Sequence, residues 1–180
     1  MYRAGATAAL LAGCRAGCRA GCRAGFRAGP GSVWPVLEIP VLALDPDLPL
    51  PSYARAGDAG ADLVARTGAL LAPRGGRGLI PTGIAIAVPA GFAGFVQPRS
   101  GLALRHGVTV LNSPGLIDAG YRDELQVILV NLDPDTPYEV RRGDRIAQLV
   151  IMAVEQGRFV VTEALSASAR GQGGFGHTGL

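Results

Sequence analysis

From Val36 onward the chain is a succession of short apolar or alternating runs, each closed by proline or glycine. That punctuation constrains the fold more than any other feature. Proline removes a backbone donor and glycine weakens a helix by about 1 kcal/mol relative to alanine, so runs this short suit strands. Val36–Leu44 alternates loosely and is broken by Pro40, which predicts an edge strand. D-P-D-L-P-L-P-S-Y follows as an extended loop. Further strands are expected over Ala61–Ala65, Ala69–Ala72, Arg77–Ile80, Thr82–Val88, Phe92–Gln97 and Val108–Leu111. Glu124–Asn131, Tyr138–Val140, Arg145–Met152 and Arg158–Glu163 complete the set. No amphipathic helix interrupts them beyond a turn at Ser100–Arg105. About ten short strands at close spacing predict an all-β fold, an antiparallel jelly-roll-like barrel or sandwich. The small, glycine-laden stretch Ser166–Leu180 reads as a mobile C-terminal arm.

Residues 1–35 have a different texture. C-R-A-G occurs three times and then becomes F-R-A-G before Pro30. The repeat and its glycine spacing predict a low-complexity, disordered tail. Cys14, Cys18 and Cys22 sit at a strict four-residue spacing without histidine or acid, a weak pattern for a soft metal. L-A-G-C at Leu11–Cys14 has the form of a lipoprotein cleavage box, but the apolar run before it is short and only Arg3 precedes it. The expectation is a dispensable tail, or a start codon assigned too far upstream.

All 17 basic residues are arginine, which excludes lysine Schiff-base chemistry and the lysine of a phosphate-cradling P-loop. The net charge of +3 belongs to the tail. Removing its five arginines leaves 12 basic against 14 acidic residues, or −2, too little positive charge for a general nucleic-acid surface. The three cysteines also lie in the tail, so the main domain has neither a disulfide nor a thiolate metal site, and a cytoplasmic setting fits. No run of about 18 apolar residues provides a membrane span.

Five motifs stand out against this strand background. In G-L-I-D-A-G-Y-R-D-E-L-Q-V-I-L-V-N, Gly115–Asn131, a polar turn runs into a strand. There Leu125, Val127, Leu129 and Asn131 face one way and Gln126, Ile128 and Val130 the other. Gly115 and Gly120 allow positive φ or close approach, and between them stand Asp118 and Tyr121. Asp118 reads either as a turn-former or as a general base held at the mouth of a rigid strand. A-G-D-A-G-A-D-L, Ala56–Leu63, brings Asp62 to the head of a strand. P-R-S-G-L-A, Pro98–Ala103, offers the Arg99 guanidinium, the Ser100 hydroxyl and the Gly101 amide as a phosphate cradle. R-G-D-R-I-A-Q-L, Arg142–Leu149, places Arg145 and Gln148 on a strand. R-G-Q-G-G-F-G-H-T-G, Arg170–Gly179, lies in the arm. Its G-x-G-x-x-G is not a dinucleotide fingerprint, because no βαβ unit surrounds it and too few residues remain for a helix.

In this order and spacing the five motifs resemble those of the trimeric dUTPases, across Val36–Leu180. The resemblance implies hydrolysis of dUTP to dUMP and pyrophosphate by water attack on the α-phosphorus, which limits uracil in DNA and supplies dUMP for dTMP synthesis. It implies that Asp118 activates the water and that Asp62 and Gln148 support the water and metal-hydration network. Mg2+ would be held by the substrate phosphates and water rather than by direct protein ligands. Asn112, Gly115, Leu116 and Ile117 would read uracil, and Tyr121 would lie beneath the deoxyribose. Arg99, Ser100, Gly101 and Arg170 would bind phosphates. Phe175 would stack on the base, flanked by Gly176 and His177. Gln126 stands where some members carry lysine or another long substrate-facing side chain, and His177 where serine is common. Implied too are a homotrimer with active sites shared between subunits, and no stable nucleic-acid or membrane partner. His106 has no partner visible in the sequence.

Two other readings remain open from sequence. A dCTP deaminase shares the fold, but it needs an additional acid near the base and usually lacks the aromatic arm. A silent nucleotide-sensing module would be expected to lose Asp118 or the arm, and both are present. No serine or cysteine nucleophile has a plausible histidine partner.

Overall fold

The structure is a computed structural model and describes residues 36–168. All described elements belong to one compact unit that begins at Glu38. Ten strands and one short helix make up the described part. They are β1 (Val41–Ala43), β2 (Ala61–Val64), β3 (Ala69–Leu71), β4 (Gly76–Ile86), β5 (Phe92–Gln97), α1 (Ser100–His106), β6 (Val108–Val110), β7 (Gly115–Ile117), β8 (Glu124–Asn131), β9 (Tyr138–Val140) and β10 (Arg145–Ala153). One sheet has the order β1-β4-β8-β6 and a second β2-β10-β5-β7, while β3 and β9 form a separate pair. All pairings between strands are antiparallel. The all-β expectation is met.

Alternation along the strands explains the two-layer core. Leu125, Val127 and Leu129 of β8 are each about fully buried, as their spacing of two requires, and Val130 and Asn131 are buried as well. Leu125, Val127 and Leu129 pack with Ile80 and Ile84 of β4 and with Leu63, Val96, Ile146 and Leu149 of the other sheet. Burying aliphatic side chains of this size stabilises by about 1.5–3 kcal/mol each, so the inner faces hold the sheets together. Asn131, with 0% exposure, is the polar exception. Its amide donates to Leu71 O (3.2 Å) and Thr136 O (2.9 Å) and accepts from the Asp133 amide (3.0 Å), tying β8 to the ends of β3 and β9. Every donor and acceptor of the side chain that faces the interior is used, so its burial is tolerated.

Several sequence expectations need correction. The separate strands expected at Arg77–Ile80 and Thr82–Val88 are one strand, β4. Between Pro81 and Ala85 its register against β8 shifts, and Gly83 at φ +76° supplies the bulge. The bulge is pinned from β8: the Gly83 amide donates to Glu124 Oε1 (2.7 Å), and buried Thr82 donates to Leu125 O (2.7 Å). Ser100–Arg105 is the body of a helix rather than a turn; α1 ends at Gly107, whose φ of +64° allows its amide to donate to Ala103 O at 3.1 Å. A Cβ on Gly107 would lie 2.8 Å from the Asp133 amide, so only glycine fits there. Gly115–Ile117, expected as part of a turn, is β7 and pairs with β5. Neither Gly115 nor Gly120 has positive φ. Arg158–Glu163 is not a strand: it joins neither sheet, and with Phe159 and Val161 99% and 100% exposed its apolar side chains find no layer to pack against. His106 does have a partner, the Tyr138 ring, at a centroid distance of 5.0 Å and 47° between planes.

Candidate active site

All of the predicted site residues that the structure describes, except Asp118, line one of two clefts. The first, about 520 Å³, lies where the N-terminal part of α1 meets β2 and β10. Arg99, Ser100, Gly101, Asp62 and Gln148 line it together. Asp62 and Gln148 face each other as register partners on β2 and β10. The Asp62 carboxylate, 18% exposed, is paired with two cations and accepts a hydrogen bond from Arg145. Arg99 Nε lies 3.2 Å from Oδ1 and Arg145 Nη1 3.2 Å from Oδ2. Arg99 also donates from Nη1 to Arg145 O at 3.2 Å. The acid therefore fixes both guanidinium groups, and a part-exposed pair of this kind contributes about 1 kcal/mol at most to stability. Its larger effect is to aim two forks at one place.

Gln148 is held by its own amide, which donates to Pro98 O at 3.0 Å. Gly60 makes room for it: a Cβ there would come within 2.9 Å of the Gln148 Cδ and still closer to Oε1. Arg145 and Arg105 also line this cleft. Sequence reasoning put Arg145 on the strand but gave it no role, for a clear reason. In a regular strand residues three apart, such as Arg145 and Gln148, face opposite ways. The register shift between Arg145 and Ala147 turns both toward the cleft and leaves Ile146 and Ala147 both buried.

The second cleft, about 340 Å³, lies between β7 and β8. Asn112, Gly115, Leu116, Ile117, Tyr121 and Gln126 line it, over an apolar floor of Val96, Val110 and Val127. Gly115 is needed for close approach: a Cβ would sit 3.2 Å from that of Val96 and 3.5 Å from Asn112 Nδ2. The Tyr121 hydroxyl donates to Glu124 O at 2.8 Å, and its amide to Asp118 O at 3.0 Å, closing the turn between β7 and β8. Burial pushes the Tyr121 phenol above its ordinary pKa, and the charges of Asp123 and Glu124 add to the effect. The phenol is therefore neutral at physiological pH and serves as a donor and an apolar face.

Asp118 follows β7 directly and is exposed. It lines neither cleft, and among the described residues its side chain has no hydrogen bond or ion pair. The two clefts share no lining residue. Arg170, Phe175, Gly176 and His177 lie outside the described residues. Among the described residues no cluster of three histidine, cysteine or acidic side chains could hold a metal ion, and no helix is long and apolar enough to cross a membrane.

A polar cleft with three arginines and a separate, largely apolar cleft edged by an amide and a phenol give the all-β domain one place suited to phosphate groups and another suited to a flat organic group. The chain belongs to the dUTPase family, whose sequence pattern matches residues 47–179. It is 59% identical to a deoxyuridine 5'-triphosphate nucleotidohydrolase of Thermobifida fusca over 82% of each chain. It is 55% identical to one of Streptomyces griseus, over 79% of this chain and 81% of that one. Among solved structures it is similar to the dUTPase of Staphylococcus bacteriophage 80alpha with dUPNHPP, with a TM-score of 0.74 and 26% identity. That match covers 81% of this chain and all of the phage chain.

Proposed function

We propose that the protein is a dUTP diphosphatase, hydrolysing dUTP to dUMP and pyrophosphate. The observation that carries the reading is the division of labour between the two clefts, on a chain that matches the dUTPase family over residues 47–179. Arg99, Ser100 and the Gly101 amide hold the triphosphate in the arginine cleft. The narrow cleft takes the nucleoside: Asn112 and the main chain of Gly115–Ile117 pair with the uracil edge, and the tight floor excludes a 5-methyl group. Tyr121 lies under the deoxyribose, where its ring opposes a 2′-hydroxyl, and Gln126 stands at the rim. A water held by Asp118 attacks the α-phosphorus. Its proton passes to the carboxylate, the bond from the α-phosphorus to the bridging oxygen breaks, and pyrophosphate leaves with that electron pair.

Mg2+ would be held by the substrate phosphates and water rather than by direct protein ligands. Asp62 Oδ2 already accepts from Arg145 and Oδ1 is ion-paired with Arg99, so this acid is suited to ordering metal-bound water rather than to direct ligation. When bound, the ion neutralises phosphate charge. Asp62 and Gln148 then orient the waters around it.

Because the clefts share no residue and Asp118 lines neither, the complete site is assembled between copies of the chain in a homotrimer. Exposed apolar side chains such as Leu42, Leu116, Met152 and Phe159 support burial against other copies. Arg170, Phe175, Gly176 and His177 close the site from the arm, residues 166–180. The catalytic domain spans residues 36–165, and residues 1–35 are dispensable. The activity keeps uracil out of DNA and supplies dUMP for dTMP synthesis in the cytoplasm.

The test is pyrophosphate release from dUTP, dTTP, dCTP and UTP, with Asp118→Asn as control. Preference for dUTP and loss of turnover in the variant are expected. Equal turnover of the four nucleotides, or an active variant, overturns the reading; deamination of dCTP would indicate the related deaminase chemistry instead.

A further inference from the structure

The arginine cleft contains a third cation to which no motif assigns a role. Arg105 lies in the last turn of α1 and lines the cleft together with Arg99, Ser100 and Gly101. Its guanidinium rests over Gly101: a Cβ there would be 3.1 Å from Arg105 Nη2 and 3.6 Å from Cζ. The glycine of P-R-S-G thus leaves space for the Arg105 fork beside it.

The three arginines differ in how their charge is committed. Arg99 and Arg145 share the Asp62 carboxylate. The other acid of the cleft, Asp58, accepts from the Arg55 amide at 2.8 Å. Among the described residues Arg105 makes neither an ion pair nor a side-chain hydrogen bond. Three cations against two acids leave the cleft at +1, and Arg105 is the one of the three cations paired with neither acid. Such a group can give both of its parallel N–H donors to a phosphate without first giving up a carboxylate.

We propose that Arg105 is a substrate-binding residue that holds the β,γ end of the triphosphate and then the pyrophosphate released from it. The inference rests on the dUTP reading above. As the bond to the α-phosphorus breaks, negative charge accumulates on the departing pyrophosphate, where an uncommitted guanidinium stabilises it most. The nucleoside monophosphate product lacks this end and does not use the residue.

The experiment compares full-length wild type, Arg105→Gln, Arg105→Lys and the distant surface variant Arg141→Gln. Calorimetric titration with inorganic pyrophosphate and Mg2+ is run beside steady-state kinetics on dUTP and inhibition by dUMP. Loss of one charge-assisted fork predicts about tenfold weaker pyrophosphate binding and about tenfold higher KM for dUTP in Arg105→Gln. Inhibition by dUMP stays unchanged, Arg105→Lys keeps most of the affinity, and Arg141→Gln behaves as wild type. Arg105 is exposed, so melting temperatures should coincide. Pyrophosphate affinity and KM unaltered in Arg105→Gln overturn the proposal, as does a wild type that binds no pyrophosphate. A wild type that binds pyrophosphate through Arg105 yet releases none from dUTP counts against the hydrolase reading alone.

Discussion

Gly60→Ala tests whether the position of the Gln148 amide matters to turnover, with a perturbation of one methyl group. The new Cβ would overlap Gln148 Oε1 and lie 2.9 Å from Cδ and 3.1 Å from Cβ. The last of these is anchored, because Gln148 pairs with Asp62 on one side and with Gln97 on the other. The side chain must therefore swing away, which breaks its 3.0 Å bond to Pro98 O. That bond is worth about 1 kcal/mol net, and a displaced rotamer costs about 1 kcal/mol more. Gly60 has no positive φ, so alanine fits the backbone and recovers about 0.5 kcal/mol from the unfolded chain. The net loss of about 1.5 kcal/mol corresponds to a melting temperature roughly 4–8 °C lower. With Gln148 turned away from the water network, kcat on dUTP falls by at least about tenfold while KM changes little. Gly60→Ala combined with Gln148→Ala removes the overlaps with Oε1 and Cδ and leaves only the 3.1 Å contact between Cβ atoms, so melting of the two single variants and the double variant should show positive coupling. A Gly60→Ala enzyme with wild-type kcat would refute the role given to Gln148. Additive melting effects would refute the steric argument itself.

Other consequences are equally direct. Asn131→Ala leaves Leu71 O, Thr136 O and the Asp133 amide without their partner and should cost roughly 3 kcal/mol in urea unfolding, with turnover per folded enzyme retained. Tyr121→Ala should raise UTP turnover relative to dUTP in competition assays; unchanged selectivity would remove the phenol from sugar discrimination. Acid sensitivity follows from three carboxylates held below their usual range: Asp45 by its hydrogen bond to Arg142, Asp133 by the Asp135 and Thr136 amides, and Glu139 by its hydrogen bond to Arg141. Their stabilisation is fully present above the unfolded carboxylate pKa of about 4 and is lost as pH falls through the lower folded values. Melting temperature should be level from neutral pH to about 5 and drop below about 4, and Asp45→Asn should flatten that drop.

The sequence by itself determined the strand inventory wherever period and punctuation agreed. β8 is the plainest case: alternate Leu125, Val127 and Leu129 admit one buried face and no other. It also determined the order of the motifs, and the structure brings Arg99, Ser100, Gly101, Asp62 and Gln148 into one cleft and Asn112, Gly115, Leu116, Ile117, Tyr121 and Gln126 into another. Features that depend on a neighbour were not legible. A bulge in β4 turned two expected strands into one, because Glu124 and Leu125 of β8 fix the Thr82–Gly83 kink from across the sheet. A second bulge in β10 brought Arg145 to the same side as Gln148, against the two-residue period. β7 is only three residues long, and its existence depends on pairing with β5. Arg158–Glu163 has the composition of a strand, yet it joins neither sheet, and Phe159 and Val161 are left exposed. Periodicity is a local property of the chain, whereas a register shift, a paired edge or a shared cleft exists only once another strand has taken its place. The Gly115–Asn131 stretch shows both halves: its residues announce a glycine turn, an acid and a buried strand, and only the packed sheets separate Asp118 from the cleft that its own neighbours line.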